Sequence, residues 1–442
     1  MIGDWLEEYK RKFVSAEEAV KMIKSGNRVA FTHGREPLAL GLALAAHKQQ
    51  VKDVRIFLPN PYTDFGWYNA ECEDSFKIET SYVLPLVKEV YSAHHCDFII
   101  GGLTGIPPEH PVISDVDVLF TEVSPPDEHG FCSFGASVWG KRKAIQQAST
   151  TIAEVNKDLI RTYGANFVHV SEIDCFVEHI YCEEFTGESD LLGREVGEPV
   201  EMERRIAEYV NDIVEDGDTL QIGIGSTSEW LVPLGVLDRK VDLGWHSEIT
   251  SRGVIRLVRD GVINSKYKNC HRGKAIAVAI GGGNKEDMAF VNNNPMFELY
   301  DAEYVLDPRV IARNDKVLAI NSALSIDLTG QIGAESIGPI MIGGPGGQLA
   351  FAIGAQFSKG GRFVSVLPST ARGGTVSRIV PLLAEGTVVT VPRTLTDIVV
   401  TEYGIAHLRN KSQRERALEL ITIAHPDFRG KLKREAEKLY WS

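Results

Sequence analysis

One carboxylate and one glycine-dense run carry the chemistry most readily seen in this chain. Glu248 sits in Asp242-Leu243-Gly244-Trp245-His246-Ser247-Glu248-Ile249-Thr250, and Gly343-Gly344-Pro345-Gly346-Gly347-Gln348 follows about a hundred residues later. A carboxylate can attack an acyl carbon as a covalent nucleophile. Glycine amides left unpaired in a turn can hold the oxyanion that such an attack creates. The pairing points to acyl transfer by a carboxylate. The bland alternative is an ordinary glutamate and an ordinary loop.

Three other stretches carry binding chemistry. Gln221-Ile222-Gly223-Ile224-Gly225-Ser226-Thr227-Ser228-Glu229 follows an apolar strand and precedes Trp230 to Leu237, which reads as helical. Glycines there let backbone amides approach a ligand, and a helix N-terminus favours phosphate. The third glycine of a dinucleotide fingerprint is missing, so a tight, serine-capped turn is the competing reading. Ser369 to Arg378 ends a strand in hydroxyls, glycines and the arginines Arg372 and Arg378, which suits phosphate or carboxylate contact. His33 and Arg35, in Thr32 to Pro37, end the first strand and are candidates for holding an acyl carboxylate, against a simple helix-entry turn. His94, His95 and Asp97, or His129 with Asp127, lack ligand spacing, and no metal is expected.

Elements that must position these groups alternate between short apolar strands and helices. Ser15 to Ser25 reads as a helix capped by Ser15, Arg28 to Thr32 as a strand, Pro37 to Ala46 as a helix, and Val54 to Leu58, Asp97 to Gly101 and Val116 to Glu122 as strands. The composition turns polar over Glu188 to Pro199, and helix Met202 to Val214 then opens a second half. Strands are expected at Thr219 to Ile224, Ala275 to Ile280, Val317 to Ile320, Phe363 to Leu367 and Val388 to Val391, and a helix at Leu349 to Phe357. Gln413 to Tyr440 is expected to be helical with a break at His425-Pro426. The Glu248 segment looks too polar for a core strand and reads as a turn at a pocket edge. The rhythm predicts an α/β fold of two similar open domains with largely parallel sheets, 1–195 and 196–442.

Bulk properties narrow the function. A chain of 442 residues exceeds one compact core. A formal net charge of -13 leaves no electrostatic footprint for nucleic acid. The N-terminus has no apolar signal core and no apolar run spans a bilayer, so no membrane partner and a cytoplasmic location are expected. Cys72, Cys96, Cys132, Cys175, Cys182 and Cys270 show no CxxC spacing and read as idle thiols.

Taken in order, Ile222-Gly223-Ile224-Gly225, Leu243 to Glu248, Asp327-Leu328-Thr329-Gly330-Gln331, Ala334 to Gly338, Gly346-Gly347-Gln348, Pro368-Ser369-Thr370, Val400 to Ala406 and Ile423 to Arg429 resemble the acetyl-CoA hydrolase/transferase family, the class I CoA-transferases. The resemblance runs from about Ser15 to the C-terminus. It implies that Glu248 is the nucleophile and that Gly346 supplies an oxyanion amide. It also implies that coenzyme A, a substrate with no tightly bound cofactor beside it, lies along Gly225, Ser226, Thr227, Ser228 and Glu229, near Asn321 and Ala323, and near Gly346 and Arg372. The partners implied are acyl-CoA and small carboxylic acids, exchanged by a ping-pong route through a glutamyl-CoA thioester, in a homodimer or homotetramer. Trp245, Pro345, Ala350 and Ser325 depart from the family pattern around the acyl pocket. Trp245 and Arg35 together admit an acyl group bearing a hydroxyl or a second carboxylate, beside 4-hydroxybutyrate-, butyrate- or acetate-like acids.

Rival readings are an acyl-CoA hydrolase using the same glutamate, a nicotinamide-dependent oxidoreductase suggested by Gly223 and Gly225, and a non-catalytic acyl-CoA-binding protein. The missing third glycine weighs against the second, and a retained nucleophile against the third.

Overall fold

A computed structural model of the protein describes residues 5–101, 115–181 and 198–441. The expected polar connection over Glu188 to Pro199, and Cys182, fall largely or wholly outside these residues. The chain divides into two compact units, Met1–Arg194 with Val278–Glu303, and Glu195–Ala277 with Tyr304–Ser442.

In the first unit the β-branched and aromatic runs form β1 (Arg28–Phe31), β2 (Val54–Leu58), β3 (Phe76–Thr80), β4 (Cys96–Phe98), β5 (Val118–Val123), β6 (Thr150–Val155) and β7 (Cys175–Glu178). Their order is β7-β6-β5-β1-β2-β3-β4, with every neighbouring pair parallel. β1 and β5 are buried along their whole length, as a parallel sheet covered on both faces requires. Successive residues serve opposite faces. Val29 and Phe31 join a core with Leu40 and Leu44 of α1 (Leu38–Ala46), while Ala30 joins Phe57, Leu119 and Phe176 in another. The chain runs outward from β1 to β4 and returns as β5 on the other side, which leaves a crevice beyond the carboxyl ends of β1 and β5.

The second unit repeats this plan. Its strands β8 (Thr219–Ile222), β9 (Gly244–Thr250), β10 (Val317–Ser322), β11 (Arg362–Val366), β12 (Ile398–Thr401) and β13 (Gly404–His407) lie in the order β13-β12-β11-β10-β8-β9. All pairs are parallel except the closing β12–β13 hairpin. Here too the strand order reverses beside the first strand, so the crevice lies between β8 and β10. Helix α2 (Glu201–Ile213) buries Ile206, Ala207 and Val210, and α3 (Gln348–Phe357) buries Phe351 and its alanines. The tail forms α4 (Gln413–Thr422) and α5 (Pro426–Tyr440), parted at His425 as expected. Two open, largely parallel α/β sheets are therefore the architecture.

Some local expectations are corrected. Trp230 to Leu237 is not a helix: a 3-10 turn at Ser228–Trp230 runs on into further turns. Val388 to Val391 forms no strand beyond one bridge from Val391 to Ile332, and Val388 and Val389 are exposed. The strand lies later, at β12.

Two motifs behind the family resemblance prove to be scaffolding. Asp327 Oδ1 accepts from Thr329 N at 2.9 Å, Thr329 Oγ1 at 2.8 Å and Gln331 N at 3.0 Å, and its Oδ2 from Gln331 Nε2 at 2.6 Å. That carboxylate is consumed by its own turn. His425 caps α5 with Pro426 in its first turn, and Arg429 stacks over Tyr403 at 5.5 Å.

Among the described residues no helix is long and apolar enough to cross a membrane, and no group of three or more His, Cys, Asp or Glu could hold a metal. Cys72, Cys96, Cys132, Cys175 and Cys270 are unpaired and buried.

Candidate active site

Glu248 stands on β9, a strand and not the turn that its polarity suggests. The alternation explains the strand. Trp245, Ser247 and Ile249 face one side and are buried, while Gly244, His246, Glu248 and Thr250 face the other. A glycine is needed at 244 because a Cβ there would stand 2.8 Å from Lys268 Cγ.

The Glu248 carboxylate reaches the N-terminus of α3, where its Oε2 accepts the Gly347 N–H at 2.6 Å. Gly347 has to be glycine for the same reason. A Cβ would collide with Glu248 Oε2 and lie 2.8 Å from Leu306 Cδ2. The carboxylate is recessed but still partly open to solvent. Burial pushes its pKa up to about 7, against the opposing pull of the Gly347 N–H. The group is a stronger base than an ordinary glutamate and a correspondingly better nucleophile when ionised.

His246, two residues away on the same face, is buried. Burial, helped by Lys268, lowers its pKa to about 3, and its Nε2 donates to Val305 O at 2.8 Å. It is a neutral imidazole at any physiological pH. It fixes the strand and carries no charge to the nucleophile.

The glycine turn after β8 meets the end of β10 across the crevice. Ser228 Oγ donates to Gly223 O at 2.6 Å, and Ser228 N donates to Ser322 Oγ at 3.0 Å. A Cβ on Gly223 would stand 2.6 Å from Asn321 Oδ1, and one on Gly225 2.5 Å from Ser322 Cβ. Close approach of two strand ends thus accounts for both glycines. Asn321 is itself engaged, exchanging amide bonds with Gln221 at 3.0 and 2.8 Å. Gln348 Nε2 reaches Ser322 O at 3.3 Å and ties the glycine loop into the same corner. Ser226 is exposed on this turn, whereas Thr227, Ser228 and Glu229 are buried.

The expected residues Gly225 to Glu229, Asn321, Ala323 and the Gly346–Gly347 loop are therefore gathered at the switch point of the second unit. Arg372 sits exposed on a hairpin, Thr370–Ala371 against Val376–Ser377, with a left-handed φ of 50° followed by Gly373 and Gly374 at 64° and 87°. His33 and Arg35 belong to the first unit. Arg35 Nε donates to the buried Glu122 at 2.9 Å, and Glu122 also accepts from Asn156 Nδ2 at 2.8 Å. The His33 ring lies 5.4 Å from that of Trp139, and burial lowers its pKa to about 3. Sequence reasoning reaches the right loops but names Gly346, not Gly347, for the oxyanion amide, and it gives Ser322 and Gln348 no role of their own. The signal for Gly347 and Gln348 is the glycine run that contains them, and for Ser322 its place beside Asn321.

The doubly wound α/β architecture agrees with the family comparisons. Residues 4–183 match the acetyl-CoA hydrolase/transferase N-terminal domain and residues 283–436 the C-terminal domain of the same name. The chain belongs to the acetyl-CoA hydrolase/transferase family and is an enzyme of the CoA-transferase class. It is 41% identical over 440 residues to the 4-hydroxybutyrate coenzyme A transferase of Clostridium kluyveri, spanning 99% of this chain and 100% of that protein. It is 35% identical to the succinyl-CoA:cyclohexane-1-carboxylate CoA transferase of Geobacter metallireducens, across 98% and 97% of the two chains. Among solved structures, RipA from Yersinia pestis superposes with a TM-score of 0.89 at 32% identity, across 99% of both chains.

Proposed function

We propose that the protein moves coenzyme A between an acyl-CoA and a small carboxylic acid by way of a covalent glutamyl-CoA thioester on Glu248. The observation that carries this reading is the recessed Glu248 carboxylate, with its raised pKa and its 2.6 Å contact to the Gly347 amide.

The ionised Glu248 oxygen attacks the thioester carbonyl. The C–S bond breaks, CoA leaves as thiolate, and an acyl-glutamyl anhydride remains. The thiolate then attacks the glutamyl carbonyl carbon, the anhydride C–O bond breaks, and the first acid departs as its carboxylate. A second carboxylate runs the steps in reverse. No proton is gained or lost overall, which suits a nucleophile flanked by a neutral histidine. When the glutamyl carbon becomes tetrahedral its oxygen gains charge, and the N–H already at that oxygen strengthens its bond. We assign this oxyanion role to the Gly347 amide, beside Gly346, for which the sequence argues. Such a donor contributes roughly 3–4 kcal/mol to barrier lowering.

The relatives' names point to acids resembling 4-hydroxybutyrate, butyrate or acetate. Coenzyme A would lie across the β8–β10 crevice along Gly225 to Glu229, Asn321 to Ala323 and Arg372, in a cytoplasmic homo-oligomer that needs no tightly bound cofactor. Arg35 already neutralises Glu122, which weighs against its holding a second substrate carboxylate.

Borohydride trapping of the acyl-CoA-treated protein, followed by peptide mass spectrometry, tests the intermediate. Reduction at Glu248 is expected, and an unmodified Glu248 during turnover overturns the reading. Release of free CoA at the same rate with and without acetate would assign the chain to hydrolysis instead.

A further inference from the structure

Arg378, in the second unit, is a half-buried arginine that leaves much of its hydrogen-bonding capacity unused. Its Nε is sealed from solvent without a partner, and its Nη1 makes one long bond of 3.4 Å, to Ala323 O. Other shielded arginines face carboxylates: Arg35 Nε lies 2.9 Å from Glu122, and Arg362 Nη1 lies 3.1 Å from Glu215. The carboxylate nearest in sequence logic, Glu402, is taken by Ser369, whose N and Oγ donate to it at 2.8 and 2.6 Å. A guanidinium carries five donors in a fixed fork, and leaving them unmade in a partly desolvated place is costly. Burial also disfavours its charge, with Glu402 and Glu203 acting the other way.

The backbone at this position is fixed on both sides. Arg378 N donates to Ser369 O at 2.9 Å, its carbonyl accepts from Ile326 N at 2.9 Å, and the next residues pair in parallel with Ile326 and Asp327. The main chain that carries the fork is thus fixed, and the fork itself reaches Ala323 O at the carboxyl end of β10, next to the Ser322 that touches the glycine turn. An underused guanidinium on an anchored backbone at the rim of a switch-point crevice matches an anion with paired oxygens.

We propose that Arg378 is a coenzyme-binding residue that grips a phosphate group of the acyl-CoA. The proposal rests on the CoA-transferase reading above, and it separates recognition of the carrier from the chemistry at Glu248.

The test compares the intact protein with Arg378→Ala and Arg378→Lys, using butyryl-CoA and butyryl-pantetheine as donors and acetate as acceptor. The expected result is a KM for butyryl-CoA at least about tenfold higher in Arg378→Ala, with the KM for butyryl-pantetheine and for acetate unchanged. The Lys variant, which keeps charge but loses the fork, should fall between. 3′-Dephospho-CoA binding by calorimetry tells the sources apart: if it weakens as much as CoA binding does, the pyrophosphate is gripped, and if it is indifferent to the substitution, the 3′-phosphate. An equal rise for both thioesters, a rise confined to acetate, or no rise overturns the proposal. Should Arg378→Ala not fold, Arg378→Gln keeps an uncharged polar side chain with the same first carbons and serves the same comparison. Calorimetry with free CoA needs no turnover, so lost CoA affinity in a protein that forms no Glu248 adduct would sink the covalent reading alone.

Discussion

Gly347 and Glu248 are made for each other: the amide of one lies 2.6 Å from the carboxylate of the other, and any side chain on the glycine would strike that oxygen. Position 347 therefore has no room for a side chain. Gly347→Ala keeps the N–H, but its methyl would push the Glu248 oxygen off that amide, and kcat is expected to fall by roughly 10²–10³-fold, the usual cost of losing an oxyanion contact. Gly343→Ala is the control, since a Cβ there meets nothing within 4 Å. Steady-state rates of the two variants check this, and equal losses would refute the specific role of Gly347.

Glu248→Gln keeps the shape and the acceptor for the Gly347 amide but removes the nucleophile. Its kcat should fall by at least about 10⁴-fold, as when a covalent nucleophile is deleted elsewhere. No adduct should be trapped.

The acidity of Glu248 sets the pH profile. With a pKa raised to about 7, the nucleophilic carboxylate is the minority form in mild acid. The rate constant kcat/KM for acyl-CoA should rise about tenfold per unit below that point and level off above it. A profile flat from pH 5 to 8 would contradict this.

Stability runs the other way. A folded-state pKa above the unfolded one means that the contribution of Glu248 to stability is complete below about pH 4.5 and is lost as pH rises through about 7. Glu248→Gln cannot ionise and escapes that loss. Its melting temperature should exceed that of the unmodified protein at pH 8 and match it near pH 4, as calorimetry at several pH values would show.

Arg35→Ala leaves the buried Glu122 without its guanidinium, and breaking such a pair typically costs about 3 kcal/mol or more. Denaturant unfolding should register that loss. Activity toward mono- and dicarboxylic acids should fall together, and a selective loss for dicarboxylates would return Arg35 to the substrate.

Much of this was legible in the residues. The strand-and-helix rhythm predicts both sheets, because fully buried parallel strands such as β1 and β10 are continuous apolar runs. It fails where function or exposure distorts the pattern. β9 looks like a turn because one of its faces carries His246, Glu248 and Thr250, polar groups that a site requires and a core strand rarely shows. Val388 and Val389 have strand-forming side chains yet lie exposed on irregular chain, since propensity without a neighbouring strand builds nothing. Gly223 and Gly225 look like a phosphate grip from sequence alone, and the second cause, the approach of Asn321 and Ser322, needs three dimensions. Nothing in the composition of 278–303 marks it as part of the first unit.

That returning segment has a consequence for biogenesis. Glu298 and Leu299 pair with Tyr163 and Gly164, and Ala302 N donates to Trp139 O at 2.8 Å. The first unit therefore waits for residues made more than a hundred positions later before Tyr163 and Gly164 find their partner strand, although its seven-stranded sheet is already encoded by residue 178. During synthesis that unit must stay incomplete while β8 and β9 emerge, and a nascent chain halted before residue 297 would leave Tyr163 and Gly164 without a partner strand, for chaperones to cover.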